Sequence, residues 1–138
     1  MGEIVVDVGL ENVGDRELAK AGHLEEADIR RATVKAVADT GAVMLALPED
    51  VVERLGVEVV GNVACAYADG RRRERPVAGP VTVSIGDRWM PVNCVVVPAG
   101  TDALVGQVVM EQLDLVADCV TRTLGPRPES PDRPLLRL

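Results

Sequence analysis

Short hydrophobic runs, separated by turn signals, recur along the whole 138-residue chain. The runs are rich in Val, whose branched side chain fits the pleated surface of a sheet. Several alternate apolar and polar positions, which is the period of a half-buried strand. The pattern predicts strands over residues 4–10, 33–38, 57–67, 76–85, 89–97, 103–106, 115–117 and 120–124.

Two segments instead carry helix signals. Between Pro48 and Gly56, proline suits the first helical position, acidic residues occupy the first turn, and glycine can close the end. Residues 107–113 can form a short amphipathic helix, and a helical turn is expected near residues 15–21, inside a long polar connection. Many short strands with one or two small helices predict a mostly β fold, closed into a small β-structure.

The turns and the length define the organisation. Asp69-Gly70 is predicted to be a two-residue turn that closes a hairpin, and Gly86-Asp87 a second turn. The length suits one domain, which we assign to residues 1–124. Residues 125–138 carry four prolines and are predicted to form a Pro-rich tail, much of it extended or mobile.

Charge and composition argue against several classes of protein function. The net charge of −7 and the scarcity of aromatic residues argue against a nucleic-acid partner. The one basic run, Arg71–Arg73 with Arg75, is interpreted as a solvated hairpin tip, although it could attract acidic peptides. No apolar run is long enough to span a membrane, and no secretory signal is visible.

Other candidate chemistry is weaker. Cys65, Cys94 and Cys119 are far apart and lack metal-ligand spacing, so we expect buried free thiols in a reducing cytoplasm, with no metal and no cofactor. The single histidine, His23, lies in a polar segment and is expected at the surface. Trp89 is expected either to pack or to line a pocket.

The most informative segment is Asp39-Thr40-Gly41-Ala42, which directly follows the predicted strand 33–38. It places a carboxylate at the end of an apolar strand, and a buried acid needs a partner. Thr40 can donate and accept hydrogen bonds, while Gly41 allows close approach of another backbone. Alone, the tripeptide is also compatible with an ordinary turn in which the carboxylate caps backbone N–H groups.

The order of the motifs resembles the retropepsin-like aspartic peptidases, in particular their bacterial single-domain branch. The resemblance covers about residues 4–124. It rests on the loop 39–42, the hairpin centred on Asp69-Gly70, the strand Leu104-Val105-Gly106 before the helix 107–113, the closing stretches 113–118 and 121–124, and the opening segment 11–18. The flap tip is Asp69-Gly70-Arg71, unlike the multi-glycine tip of viral relatives.

The resemblance implies an aspartic endopeptidase that acts on polypeptides as a homodimer. Asp39, Thr40 and Gly41 would be catalytic, with Thr40 bonding across the two-fold interface. Leu104, Val105 and Gly106 would support the loop. Substrate would contact the remaining site residues, which are Ala42, Ala68, Asp69, Gly70 and Arg71.

The chemistry needs two carboxylates that share one proton and activate a water together. The chain has a single Asp-Thr-Gly and no internal repeat, so the second Asp39 must come from another subunit. Two alternatives stay open at this stage. One is a catalytically silent dimeric module of the same fold that binds peptides or partners. The other is an unrelated monomeric β-barrel whose Asp-Thr-Gly is a turn.

Overall fold

The computed structural model describes residues 3–138 and is built mainly of strands. Three short α-helices and one 3-10 turn accompany nine strands within these residues. The helices are α1 Val13–Lys20, α2 Glu49–Leu55 and α3 Gln107–Leu113, and the 3-10 turn is Glu26–Asp28. The strands are β1 Val5–Asn12, β2 Arg31–Ala38, β3 Leu45–Pro48, β4 Glu58–Ala66, β5 Arg72–Ile85, β6 Arg88–Val97, β7 Ala103–Val105, β8 Leu115–Asp118 and β9 Thr123–Pro126.

Six strands form a closed barrel. They are hydrogen-bonded in the order β1-β2-β7-β3-β6-β5, and β5 pairs back onto β1. β4 pairs only with β5 and extends from the barrel as one arm of a hairpin. Closure leaves few unpaired backbone groups, which is how small β proteins avoid exposed edges. The predicted mostly β, closed retropepsin-like fold is confirmed, with the helical turn near residues 15–21 present as α1.

The short strand β7 is inserted between two strands that are adjacent in sequence. It runs parallel to β2, with Ala38 opposite Val105, and antiparallel to β3, with Ala46 opposite Leu104. The chain therefore leaves β2, passes around the end of β7 and re-enters the sheet as β3. The connection between β2 and β3 is thus pushed out to the barrel rim, where β7 ends.

An aliphatic core fills the barrel. The largest side chains that are completely buried come from β1, β3, β5, β7 and the helices, and aromatic residues play no part in it. They are Leu45, Leu47, Leu55, Leu113, Val8, Val81, Val83, Val105 and Val109, joined by Cys94. Burial raises the pKa of the Cys94 thiol to about 11, so it is an inert packing group.

The expectation that all three cysteines are buried was wrong for two of them. Cys65 is half-buried because it lies on β4, outside the closed barrel, and Cys119 is exposed in the turn between β8 and β9. All three are free thiols.

Helices α1 and α2 are joined through Asn12. Its side-chain oxygen accepts a hydrogen bond from the N–H of Asp15 and caps α1, while its amide nitrogen donates to the carbonyl of Leu55 at the end of α2. Gly56 then ends α2 with a φ of +67°, a conformation that favours glycine. Pro48 is the last residue of β3 and the N-cap of α2. It therefore lies one position before the first helical residue, which is where it was predicted.

The β4–β5 hairpin has a longer connection than predicted. The N–H of Tyr67 donates to the carbonyl of Arg71, and the N–H of Gly70 donates to the carbonyl of Tyr67. Within residues 67–71, only Gly70 has a positive φ, of +85°. The connection is therefore a three-residue loop ending in a left-handed glycine, and the two-residue turn at Asp69-Gly70 was wrong.

Strand β9 begins later than the strand predicted at residues 120–124. The carboxylate of Asp118 accepts hydrogen bonds from the N–H groups of Val120 and Thr121, which turns the chain, and Arg122 adopts a φ of +56°. Residues 119–122 are therefore a turn, and β9 starts at Thr123.

The C-terminal segment packs back onto the barrel. Arg88, which is buried, donates hydrogen bonds to the carbonyls of Leu113, Asp114 and Ser130. The carboxylate of Asp114 pairs with the guanidinium of Arg127. These bonds hold both the end of α3 and the segment that follows β9.

Candidate active site

The Asp39 loop is built at the rim where β2 ends. The N–H of Asp39 donates to the carbonyl of Val105 at 2.9 Å, which continues the β2–β7 pairing by one residue. The N–H of Ala42 donates to the carbonyl of Asp39 at 3.1 Å and closes a tight turn. The carboxylate Oδ1 of Asp39 accepts a hydrogen bond of 2.8 Å from the N–H of Gly41, which orients the side chain.

The far end of the loop is attached to α3. The carbonyl of Ala42 accepts a hydrogen bond of 2.7 Å from the N–H of Gln107, and the carbonyl of Val43 accepts one of 2.9 Å from Val108. These N–H groups belong to the first turn of the helix, where no partner exists within the helix itself. The loop is thus held at one end by β7 and at the other by α3.

Gly106 lies between β7 and α3 at a point of very close backbone contact. A Cβ atom at this position would sit 2.5 Å from the carbonyl oxygen of Met44 and 2.7 Å from the carbonyl carbon of Val43. Only glycine allows the chain after the Asp39 loop to pass this close. Val105 therefore contacts the start of the loop and Gly106 the residues that follow it, while Leu104 pairs with Val37 and Ala46 on the flanking strands. That these three residues support a catalytic loop stays a prediction.

The Asp39 loop is open to solvent in the described chain. Asp39 is half-buried, and Thr40 and Gly41 are exposed. The hydroxyl of Thr40 has no hydrogen-bond partner within residues 3–138. The carboxylate is therefore at the barrel rim, not in the apolar interior that the flanking hydrophobic sequence suggested.

Exposed valines surround this loop. Val43 is 67% exposed and follows it in the chain, and Val108, hydrogen-bonded to Val43, is 38% exposed. Val5 is 50% exposed and lies opposite Val37 near the end of β2. Sequence analysis did not single out these residues, because the hydrophobic pattern does not distinguish an exposed valine from a core valine.

The predicted flap residues lie together but apart from the loop. Ala68, Asp69, Gly70 and Arg71 are all exposed at the tip of the β4–β5 hairpin. The described hydrogen bonds and ion pairs of these residues are internal to the tip and do not reach Asp39. The structure therefore brings together the loop and its support, and presents the flap as a separate arm.

The base of the hairpin has an anchor that sequence analysis missed. Arg75, grouped there with the arginines of the tip, has only 19% of its side chain exposed. Its Nε donates to the carbonyl of Val96 on β6 at 3.0 Å, and its guanidinium lies 3.9 Å from Glu49. A signal for this anchor was available, because Arg75 is four residues from the tip and its strand continues into the barrel.

The remaining candidates have no link to the loop. His23 is exposed, as expected. Trp89 is 66% exposed and lines an open groove of about 470 Å³ on the outer face of β1, β2 and β5, so it does not pack in the core.

A closed six-stranded barrel, with an Asp-Thr-Gly loop at its rim and a strand inserted behind that loop, defines the retropepsin-type aspartyl protease fold. The family model described as "gag-polyprotein putative aspartyl protease" matches residues 26–112. The match spans more than half of the chain and includes the Asp39 loop, the hairpin, β7 and most of α3. The chain belongs to this aspartyl protease family.

A search of curated proteins found no match to the chain. Among the described residues, none of the helices has both the length and the apolar character needed to cross a membrane.

Proposed function

We propose that this protein is an aspartic endopeptidase that works as a homodimer, with Asp39 of each subunit at a shared site. The observation that carries the proposal is the geometry of the Asp39 loop. Its carboxylate is oriented by Gly41 and its two ends are tied to β7 and α3, yet Thr40 and Gly41 are exposed at the rim. A rigid loop with an accessible acid suits a site completed by a second surface.

The surroundings of the loop support pairing with a second copy. Val5, Val43 and Val108 are exposed apolar side chains, and burying them in a two-fold interface would be favourable. In such a dimer the Thr40 hydroxyl would find a partner in the opposite loop. Isologous two-fold pairing places the same loop on both sides of the axis, which is the arrangement that a dyad requires.

The proposed mechanism uses the two carboxylates differently. Two carboxylates in close contact do not both ionise readily, so the pair holds one proton. The ionised Asp39 takes a proton from the bridging water, and the protonated Asp39 donates a hydrogen bond to the carbonyl of the scissile peptide. The water attacks this carbonyl and gives a tetrahedral diol that is not covalently bound to the enzyme. The diol then collapses with cleavage of its C–N bond, as the protonated carboxyl group of the pair donates its proton to the leaving nitrogen. The β4–β5 hairpin would cover the bound peptide.

The test compares the wild type with Asp39→Asn in a multiplex peptide digest from pH 3 to 8, at a concentration where sedimentation shows the dimer. Wild type should cleave, with activity falling once both carboxylates ionise, and Asp39→Asn should not cleave. Asp118→Asn is the matched control, because Asp118 is also an aspartate at the end of a strand, but its carboxylate binds N–H groups of the β8–β9 turn.

Subunit mixing tests whether the site is shared. If both Asp39 carboxylates are needed, mixing wild type with Asp39→Asn should lower the activity per wild-type subunit in proportion to the wild-type fraction. Activity that stays constant per wild-type subunit, with heterodimers present, would refute the shared site. A stable wild-type dimer that cleaves no peptide would instead support a silent peptide-binding module.

A further inference from the structure

The β4–β5 hairpin carries a charge opposite to that of the chain as a whole. The chain has a net charge of −7, yet the hairpin segment from Asp69 to Arg75 contains four arginines and only two acidic residues. A positive arm on a negative protein is not needed for solubility, which the overall charge already provides. The four arginines of this segment differ in what they contact.

Two of the four arginines are used by the hairpin itself. Arg71 pairs with Asp69 at 2.6 Å and lies over the ring of Tyr67, 5.9 Å from its centre. Arg75 donates to the carbonyl of Val96 at the hairpin base. Both hold the shape of the arm, and neither guanidinium is fully available to a ligand.

The other two arginines are free of such contacts within the described residues. Arg72 and Arg73 are exposed, and neither forms an ion pair or a side-chain hydrogen bond within residues 3–138. They are neighbours on β5, so their side chains point to opposite faces of the hairpin. Whichever face of the arm covers a bound peptide, one free guanidinium lies on that face.

We propose that Arg72 and Arg73 select acidic peptides, so that the preferred substrates carry Asp or Glu next to the segment covered by the hairpin. This inference rests on the proposed protease function, since it names the substrate class of that site. The arginine on the covering face would contact a carboxylate of the peptide directly. The arginine on the outer face would contribute only through its longer-range field.

The size and the salt dependence of the effect follow from exposure. An ion pair at an exposed site is worth at most about a fivefold change in affinity, so replacing the contacting arginine should lower kcat/KM for acidic peptides by up to about fivefold. Added salt should weaken this preference. If only the net charge of the protein acted, salt would instead favour acidic peptides, because the protein as a whole repels them.

The experiment uses two decapeptide pools that differ only in having Asp and Glu, or Asn and Gln, at the same randomised positions. Each pool is digested by the wild type, by Arg72→Glu/Arg73→Glu, and by each single Arg→Gln variant. The control Arg133→Glu/Arg137→Glu makes the same change of net charge at exposed arginines that have no partner within residues 3–138. Thermal unfolding checks that every variant is folded, and the Gln variants provide the test if the double variant is not.

The wild type should prefer the acidic pool, the hairpin variants should lose that preference, and the tail control should keep it. One single variant should have a larger effect than the other. Equal cleavage of the two pools by the wild type, or equal loss of preference in the tail control, would overturn the proposal and leave the protease function intact.

Retention of the same pools on immobilised Asp39→Asn protein separates the two proposals. Suppose the wild type cleaves neither pool, but Asp39→Asn retains the acidic pool through Arg72 and Arg73. The acidic preference would then stand, and the protease function would fail. Equal retention of both pools by Asp39→Asn would overturn the acidic preference.

Discussion

Replacing Gly106 by alanine should damage the site without touching a catalytic group. Gly106 has a φ of −91° and a ψ of −176°, which alanine adopts without strain. The added methyl group would instead lie 2.5 Å from the carbonyl oxygen of Met44. To open that contact even to 3.0 Å, the backbone after the Asp39 loop or the start of α3 must move by about 0.5 Å.

The cost comes from overpacking and from weakened hydrogen bonds. Forcing a methyl group into a packed site costs about 1–3 kcal/mol. The same movement disturbs the bonds from Gln107 to Ala42 and from Val108 to Val43, each worth about 0.5–1.5 kcal/mol. We expect a loss of about 2–6 kcal/mol in the free energy of unfolding. Activity should fall further, because small displacements of a catalytic group have large effects on rate.

Urea unfolding of Gly106→Ala, followed by circular dichroism, measures the loss. Gly61→Ala is the matched control, because a Cβ atom there would meet nothing within 4 Å and Gly61 has no positive φ. Both variants reduce the entropy of the unfolded chain equally, so their difference isolates the contact. If Gly106→Ala is as stable as Gly61→Ala, the close contact does not constrain the loop, and our account of its support is incorrect.

Two further predictions concern polar groups away from the loop. Arg88→Met should lower the free energy of unfolding by about 3–5 kcal/mol, because buried carbonyls of Leu113, Asp114 and Ser130 lose their donor; urea unfolding checks this against the exposed Arg54→Met, and a loss below about 1 kcal/mol would contradict it. Hydrogen bonds from the side chain and the N–H of Arg30 lower the pKa of Asp15 to about 2. As the pH falls from about 4 to 2, the unfolded chain therefore binds a proton first, and the stabilisation by Asp15 is lost. Thermal unfolding against pH should show the wild type losing its advantage over Asp15→Asn in this range, and a constant difference would refute the assignment.

Local signals in the sequence were sufficient for most elements. The helix 107–113 was predicted with the bounds of α3, and the strands before and after it were found as short apolar runs, which are a property of neighbouring residues. The Asp39 loop was identified for the same reason. Its aspartate, hydroxyl residue and glycine are adjacent in the chain, and they directly follow an apolar strand.

The errors have local causes that only the hydrogen bonds of the structure reveal. The strand expected at 120–124 failed because the Asp118 carboxylate binds two following N–H groups and turns the chain. The hairpin tip was assigned two residues because Asp-Gly is a frequent two-residue turn. The bond between Tyr67 and Arg71, however, places Ala68 inside the connection as well.

The arrangement around the site depends on contacts between residues far apart in the chain. Nothing near residues 103–105 indicates that this segment enters the sheet between β2 and β3, since that position depends on pairing with strands more than 50 residues away. The same holds for Arg88. Its three carbonyl partners belong to two segments, the end of α3 and the residues after β9, that are far from Arg88 in the sequence. Periodicity and the Asp-Thr-Gly motif define the elements and the candidate acid. Only the barrel, by bringing β7 and α3 against the loop, makes that acid rigid and accessible at the rim.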